Sequence, residues 1–134
     1  MTQQPPYGLT GDDQPFWDAA KRGELVCQRC DDCGYLRWPM AGVCPECLSR
    51  RATLTEVEGT GTLWSFVVYH RAYAPSLKGD VPYAVALVEL DCGVRLVTRL
   101  VDFEQGTAEV GMPVSVRYRE LGDRGVVPVF GPAR

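Results

Sequence analysis

The chain has 134 residues, 46% hydrophobic and 23% charged, which is the length and balance of one ordinary globular domain, or of a domain with a small appendage. A chain of this size buries about two thirds of its unfolded surface, so a true core is available. A net charge of −3 and a pI near 5.1 disfavour a large phosphate-neutralising face, and no apolar run approaches the ~20 residues of a membrane span.

Met1 to Gly11 reads as loose, with neither an apolar signal segment nor a basic lead in Met1 to Thr10. A reducing cytoplasm is therefore expected, where clustered cysteines bind metal more often than they form disulfides. A short helix is expected from Asp13, which can cap it, with Pro15 in the first turn and Gly23 at the end. Phe16, Trp17 and Ala20 share one helical face. Ten residues are too few to hold a helix alone, so these aromatics must dock. Their own domain is the plain reading. A partner is the alternative, which makes Phe16 and Trp17 candidate partner-binding residues.

The most informative stretch follows. Cys30-Asp31-Asp32-Cys33-Gly34 and Cys44-Pro45-Glu46-Cys47 are two C-x-x-C knuckles with ten residues between them. Four thiolates at this spacing can converge on one tetrahedral metal, zinc being the usual occupant. Gly34 permits a positive φ after the first knuckle, and Pro45 pre-sets the second turn. Cys27 also makes a C-x-x-C with Cys30, but only the Cys30–Cys33 pair is followed by glycine. The ligand set read here is Cys30, Cys33, Cys44 and Cys47, leaving Cys27 as a buried thiol or one surplus to the set. Iron, as in rubredoxin, also suits four thiolates. Four protein ligands leave no open position for chemistry, so the centre is expected to be structural. Trp38-Pro39 lies on the arm between the knuckles and is expected to pack over the metal.

From Thr53 the pattern turns to strands: 53–58 and 62–69 joined through Gly59-Thr60-Gly61 as one long bent strand, then 83–90, 94–101, 114–119 and 126–130. Asp91-Cys92-Gly93 is a tight hairpin turn. Five short strands, the first long and coiled, predict a small closed barrel, an OB-fold before an SH3-like barrel. The fold class expected is mainly β: a short N-terminal helix, a rubredoxin-like zinc ribbon, then a five-stranded OB-fold barrel. The corresponding segments are residues 1–23, 24–52 and 53–134.

A search for catalytic groups finds none. His70 is the only histidine, no G-x-S-x-G elbow is present, and no phosphate-binding glycine motif occurs. The segment after the first barrel strand does stand out. His70-Arg71-Ala72-Tyr73-Ala74-Pro75 through Val81-Pro82 is long for a small barrel and sets cations among aromatics. His70, Arg71, Tyr73 and Lys78 are the candidate ligand- or partner-binding residues, since binding groups concentrate on long loops of rigid scaffolds. By period two, Trp64, Phe66 and Val68 share one strand face, read as barrel filling with His70 at its rim.

The order of these features closely resembles the family called domain of unknown function 35. The resemblance runs through Phe16-Trp17, Arg22-Gly23-Glu24-Leu25, both knuckles, Trp38-Pro39, Gly59-Thr60-Gly61-Thr62, residues 81–90, Val110-Gly111-Met112-Pro113-Val114 and Pro128-Val129-Phe130. It covers about Asp13 to Pro132. It implies an acyl-CoA-associated protein that pairs a zinc ribbon with an OB-fold and serves as a non-catalytic partner of a thiolase-superfamily enzyme. Such partners include thiolases, acyltransferases and lipid-transfer-protein-like aldolases of steroid side-chain breakdown. The implied assembly is a heterotetramer in the cytoplasm, with acyl-CoA at the shared interface, structural Zn2+, no membrane and no catalytic residue in this chain. All four knuckle cysteines of the family pattern are present. The alternative reading is an OB-fold module for single-stranded nucleic acid, which the acidic charge balance disfavours. A rubredoxin-like electron carrier is the third.

Overall fold

The structure, a computed structural model, describes residues 13–134, except the side chain of Arg124. Two compact units make it up: residues 13–58 with 118–128, and residues 59–117 with 129–134.

The first unit begins with α1 (Gln14–Lys21) and a three-stranded antiparallel sheet of β1 (Val26–Cys30), β2 (Leu36–Arg37) and β3 (Ala52–Glu56), in the order β2-β1-β3. Phe16, Trp17, Ala19 and Ala20 of α1 are buried with Leu25, Val26 and Cys27. The Phe16 ring meets Trp17 edge-on at 4.9 Å and Trp38 at 5.3 Å. The aromatics that the short helix had to bury thus dock within their own unit. Asp13 holds the N-cap position, but its side chain does not cap the helix. Buried, it accepts a hydrogen bond from the Met40 N–H at 3.3 Å, tying the arm between the knuckles to the helix start. Gly23, at φ 74°, ends the helix as its position implies.

The second unit is built on a closed barrel of β4 (Thr60–Tyr69), β5 (Tyr83–Leu90), β6 (Arg95–Leu100), β7 (Pro113–Glu120) and β8 (Val126–Pro132), in the order β4-β5-β6-β8-β7. One parallel pair, Leu100 with Phe130, closes an otherwise antiparallel sheet, which is the OB-fold connectivity. Leu63, Val88 and Leu96 are opposite one another across three strands, and Ala84, Leu100 and Phe130 across another three; all six are buried. The outer ends of β7 and β8 belong to the first unit.

Two strand expectations need correction. Residues 53–58 do not continue into the barrel strand: β3 pairs with β1, and the barrel begins at Thr60. Gly61 is a point of close backbone approach, because a Cβ there would strike the Glu89 carbonyl on β5. The strand's irregularity lies elsewhere. Leu63 pairs with Val88 but Ser65 pairs with Leu87, so Trp64 is an extra residue, a β-bulge. The bulge reverses the in–out alternation. Phe66 and Val68 lie opposite the buried Ala86 and Ala84, whereas Trp64 is 47% exposed and fills no core.

Candidate metal centre and binding loop

The two knuckles are built alike. In the first, the Gly34 N–H donates to the Cys30 carbonyl and the Cys30 N–H to the Tyr35 carbonyl. In the second, the Leu48 N–H donates to the Cys44 carbonyl and the Cys44 N–H to the Ser49 carbonyl. Each turn closes with a left-handed residue, Gly34 at φ 80° and Leu48 at φ 65°. The N–H groups of Asp32 and Cys33 point at the Cys30 sulfur, and those of Glu46 and Cys47 at the Cys44 sulfur.

This repeated turn brings the four sulfurs together. Cys30, Cys33, Cys44 and Cys47 place their Sγ atoms within 4.8 Å of one another, with Cys30–Cys47 at 3.5 Å and Cys33–Cys44 at 3.6 Å. These separations are far beyond a disulfide bond. A tetrahedron with zinc–sulfur bonds of about 2.3 Å has edges of roughly 3.8 Å, so the cage fits Zn2+. The Cys33 N–H foremost, then that of Asp32 and the neighbouring thiols, hold the Cys30 thiol down to about 6. The Ser49 N–H pulls the Cys47 thiol down, but the adjoining thiols of Cys30, Cys33 and Cys44 and desolvation prevail and push it up to about 12. Zn2+ held by these four would complete a closed site that supplies folding energy rather than reactivity. Asp32 fastens the knuckles from outside, accepting from Ser49 Oγ and pairing with Arg51. Asp31 accepts from Thr53 Oγ1 at 2.7 Å. Cys27 is buried outside this cage, and Cys92 is exposed on the β5–β6 turn.

His70, Arg71, Tyr73 and Lys78 lie where expected, all exposed, on the loop between β4 and β5. The structure supplies partners the sequence did not single out. Tyr69 and Tyr83, at the two ends of the loop, stack at 5.2 Å, and Tyr73 meets Tyr69 edge-on at 6.1 Å. Arg71 lies over Tyr73 at 5.5 Å. Arg99 lies over Tyr83 at 4.4 Å and pairs with Asp80 at 3.1 Å. The signal for Arg99 was its period-two place on β6; the register that sets it beside Tyr83 was not readable. Phe16 and Trp17, candidates for partner contact, are 3% and 5% exposed, their rings committed to the chain's own core. Among the described residues, no helix is long and apolar enough to cross a membrane.

Residues 17–52 match the family described as ChsH2, rubredoxin-like zinc ribbon domain, and residues 54–119 match ChsH2, C-terminal OB-fold domain. The chain is 41% identical to a probable enoyl-CoA hydratase alpha subunit of Thermomonospora curvata, an alignment covering 99% of this chain and 43% of that one. It therefore spans less than half the length of that relative. It is 31% identical to a DUF35 domain-containing scaffold protein of Methanocaldococcus jannaschii, covering 77% of this chain and 75% of the other. Among solved structures it resembles a chain of the Ltp2-ChsH2(DUF35) aldolase, with TM-score 0.85, 40% identity, and coverage of 92% of this chain and 96% of that one. With a closed cysteine cage on a ribbon, an OB barrel, and relatives matched on this scale, the chain belongs to the DUF35 family of ChsH2-type zinc-ribbon and OB-fold proteins.

Proposed function

We propose that the chain is a non-catalytic accessory subunit of an acyl-CoA enzyme, assembled with a lipid-transfer-protein-like or other thiolase-superfamily subunit that performs the carbon–carbon bond chemistry. The observation that carries this reading is the near-complete match to the chain of an aldolase named for two proteins, with 96% of that chain covered. The site chemistry agrees. The one metal-ligating cluster among the described residues is closed by four thiolates, which leaves no position for a substrate. The loop residues His70, Arg71, Tyr73 and Lys78 are exposed on the barrel, where they are open to contact with a partner.

In this reading the chain stabilises its partner and helps to shape the CoA entrance, in a heterotetramer with two copies of each subunit. Reduced cysteines of such a centre suit a reducing compartment such as the cytoplasm. The test is an activity comparison. The purified chain alone shows no hydratase, thiolase or aldolase turnover on acyl-CoA substrates, while adding it to the partner subunit restores soluble, active enzyme. Robust turnover by the chain alone sinks the proposal.

A further inference from the structure

The solvent side of the β4–β5–β6 meander, a face that is ordinarily polar, carries an aliphatic cluster among its polar residues. Cross-strand register puts Val67 beside Val85 and Leu87 beside Val97, an aliphatic centre in which Val67 is 51% and Val97 63% exposed. The bulge adds Trp64 to this side, with the Arg95 guanidinium 3.9 Å above its ring. At the other end stand the Tyr69–Tyr83 stack and Arg99. An aliphatic centre flanked by Trp, Tyr and Arg anchors is the anatomy of a protein–protein interface. In OB-folds the second and third strands and the loop between the first two form the face that binds oligonucleotides and oligosaccharides, here β5, β6 and residues 70–82.

Charge selects the kind of occupant. Arg95 is paired with Glu89 at 3.0 Å and Arg99 with Asp80, so the two arginines on the face are already neutralised beside an aliphatic surface. That arrangement offers no track for a phosphate backbone. Arg71 and Lys78 at the loop end have no ion pair among the described residues. The complementary surface is therefore an apolar patch bordered by carboxylates at one end.

We propose that this face docks the enzyme subunit of the assembly proposed above, through Val67 and Val97 at the centre, Trp64 flanking them, and Arg71 and Lys78 at the rim. The assignment rests on the accessory-subunit reading. A charge placed at the centre of a desolvated patch weakens binding on the order of 30-fold or more.

The test uses the full chain and the lipid-transfer-like subunit that co-purifies with it, recombined after purification. V67E/V97E and, separately, R71E/K78E are compared with L48E, which alters an exposed apolar residue of the ribbon. Zinc content and melting temperature report that each variant is folded. Loss of affinity in both face variants with full binding by L48E is the expected result. Face variants that bind like the wild type overturn the assignment, as does loss confined to L48E. A homodimer of the wild type that V67E/V97E dissociates, or oligonucleotide binding that these variants abolish, assigns the face to another occupant and also overturns it. Failure of the wild type itself to bind any such subunit refutes the accessory reading instead.

Discussion

Leu48 occupies in the second knuckle the position that Gly34 occupies in the first, each donating its N–H to the carbonyl four residues back from a left-handed conformation. Glycine adopts this conformation without strain; leucine does so at a cost of about 1 kcal/mol, and here its side chain is 75% exposed. The same turn is thus made once with the favoured residue and once against preference. L48G is expected to hold or raise stability by up to about 1 kcal/mol, while G34A, with open space around its Cβ, loses about 1 kcal/mol from backbone strain alone. Urea titration of the zinc-loaded chain checks both signs.

The cage predicts one equivalent of zinc and no visible colour. Replacing Cys44 or Cys47 with serine should abolish stoichiometric zinc and unfold the first unit, since binding energy at a closed thiolate site is folding energy. Metal analysis with circular dichroism decides it. A serine variant that keeps native stability without metal shows that packing holds the ribbon.

Close approach at Gly61 makes a second stability prediction. A Cβ there meets the Glu89 carbonyl and the Leu90 backbone, neither of which can move without breaking the β4–β5 ladder. G61A should cost about 1–3 kcal/mol. Gly79 has open space around it, so G79A is the control and should change stability little. Denaturant midpoints compare the two.

At alkaline pH, Tyr118 gives a third. Burial foremost, then the negative charges of Glu56 and Glu24, raises its phenol above the ordinary tyrosine value. A phenol that titrates higher when folded contributes stability fully present below about pH 10 and lost as the pH climbs through the folded value. Y118F should flatten the fall in melting temperature above pH 10 without changing it near neutrality. An unchanged alkaline slope contradicts the assignment.

The cysteine cage and the barrel were legible in the sequence because their determinants are local. Knuckle spacing and Gly34 specify the cage, and alternating strands with turn glycines specify the barrel. Trp64 was misplaced because a one-residue bulge leaves no mark in composition yet inverts every later side chain of the strand. Residues 53–58 were assigned to the barrel because strand propensity says nothing about which neighbour a strand will choose; β3 chose β1. Asp13 looked like a cap, and the distant Met40 N–H claimed its carboxylate instead. The Tyr69, Tyr83 and Arg99 cluster needed the register of three strands before it could be seen.

The measurement that bears most directly on the central claim is recovery of the tagged chain from its native cells under mild salt, with mass-spectrometric identification and stoichiometry of what accompanies it. The account predicts an equimolar thiolase-superfamily or lipid-transfer-like subunit, with acyl-CoA activity in the complex and none in this chain. Recovery of the chain alone, or with bound nucleic acid, contradicts it.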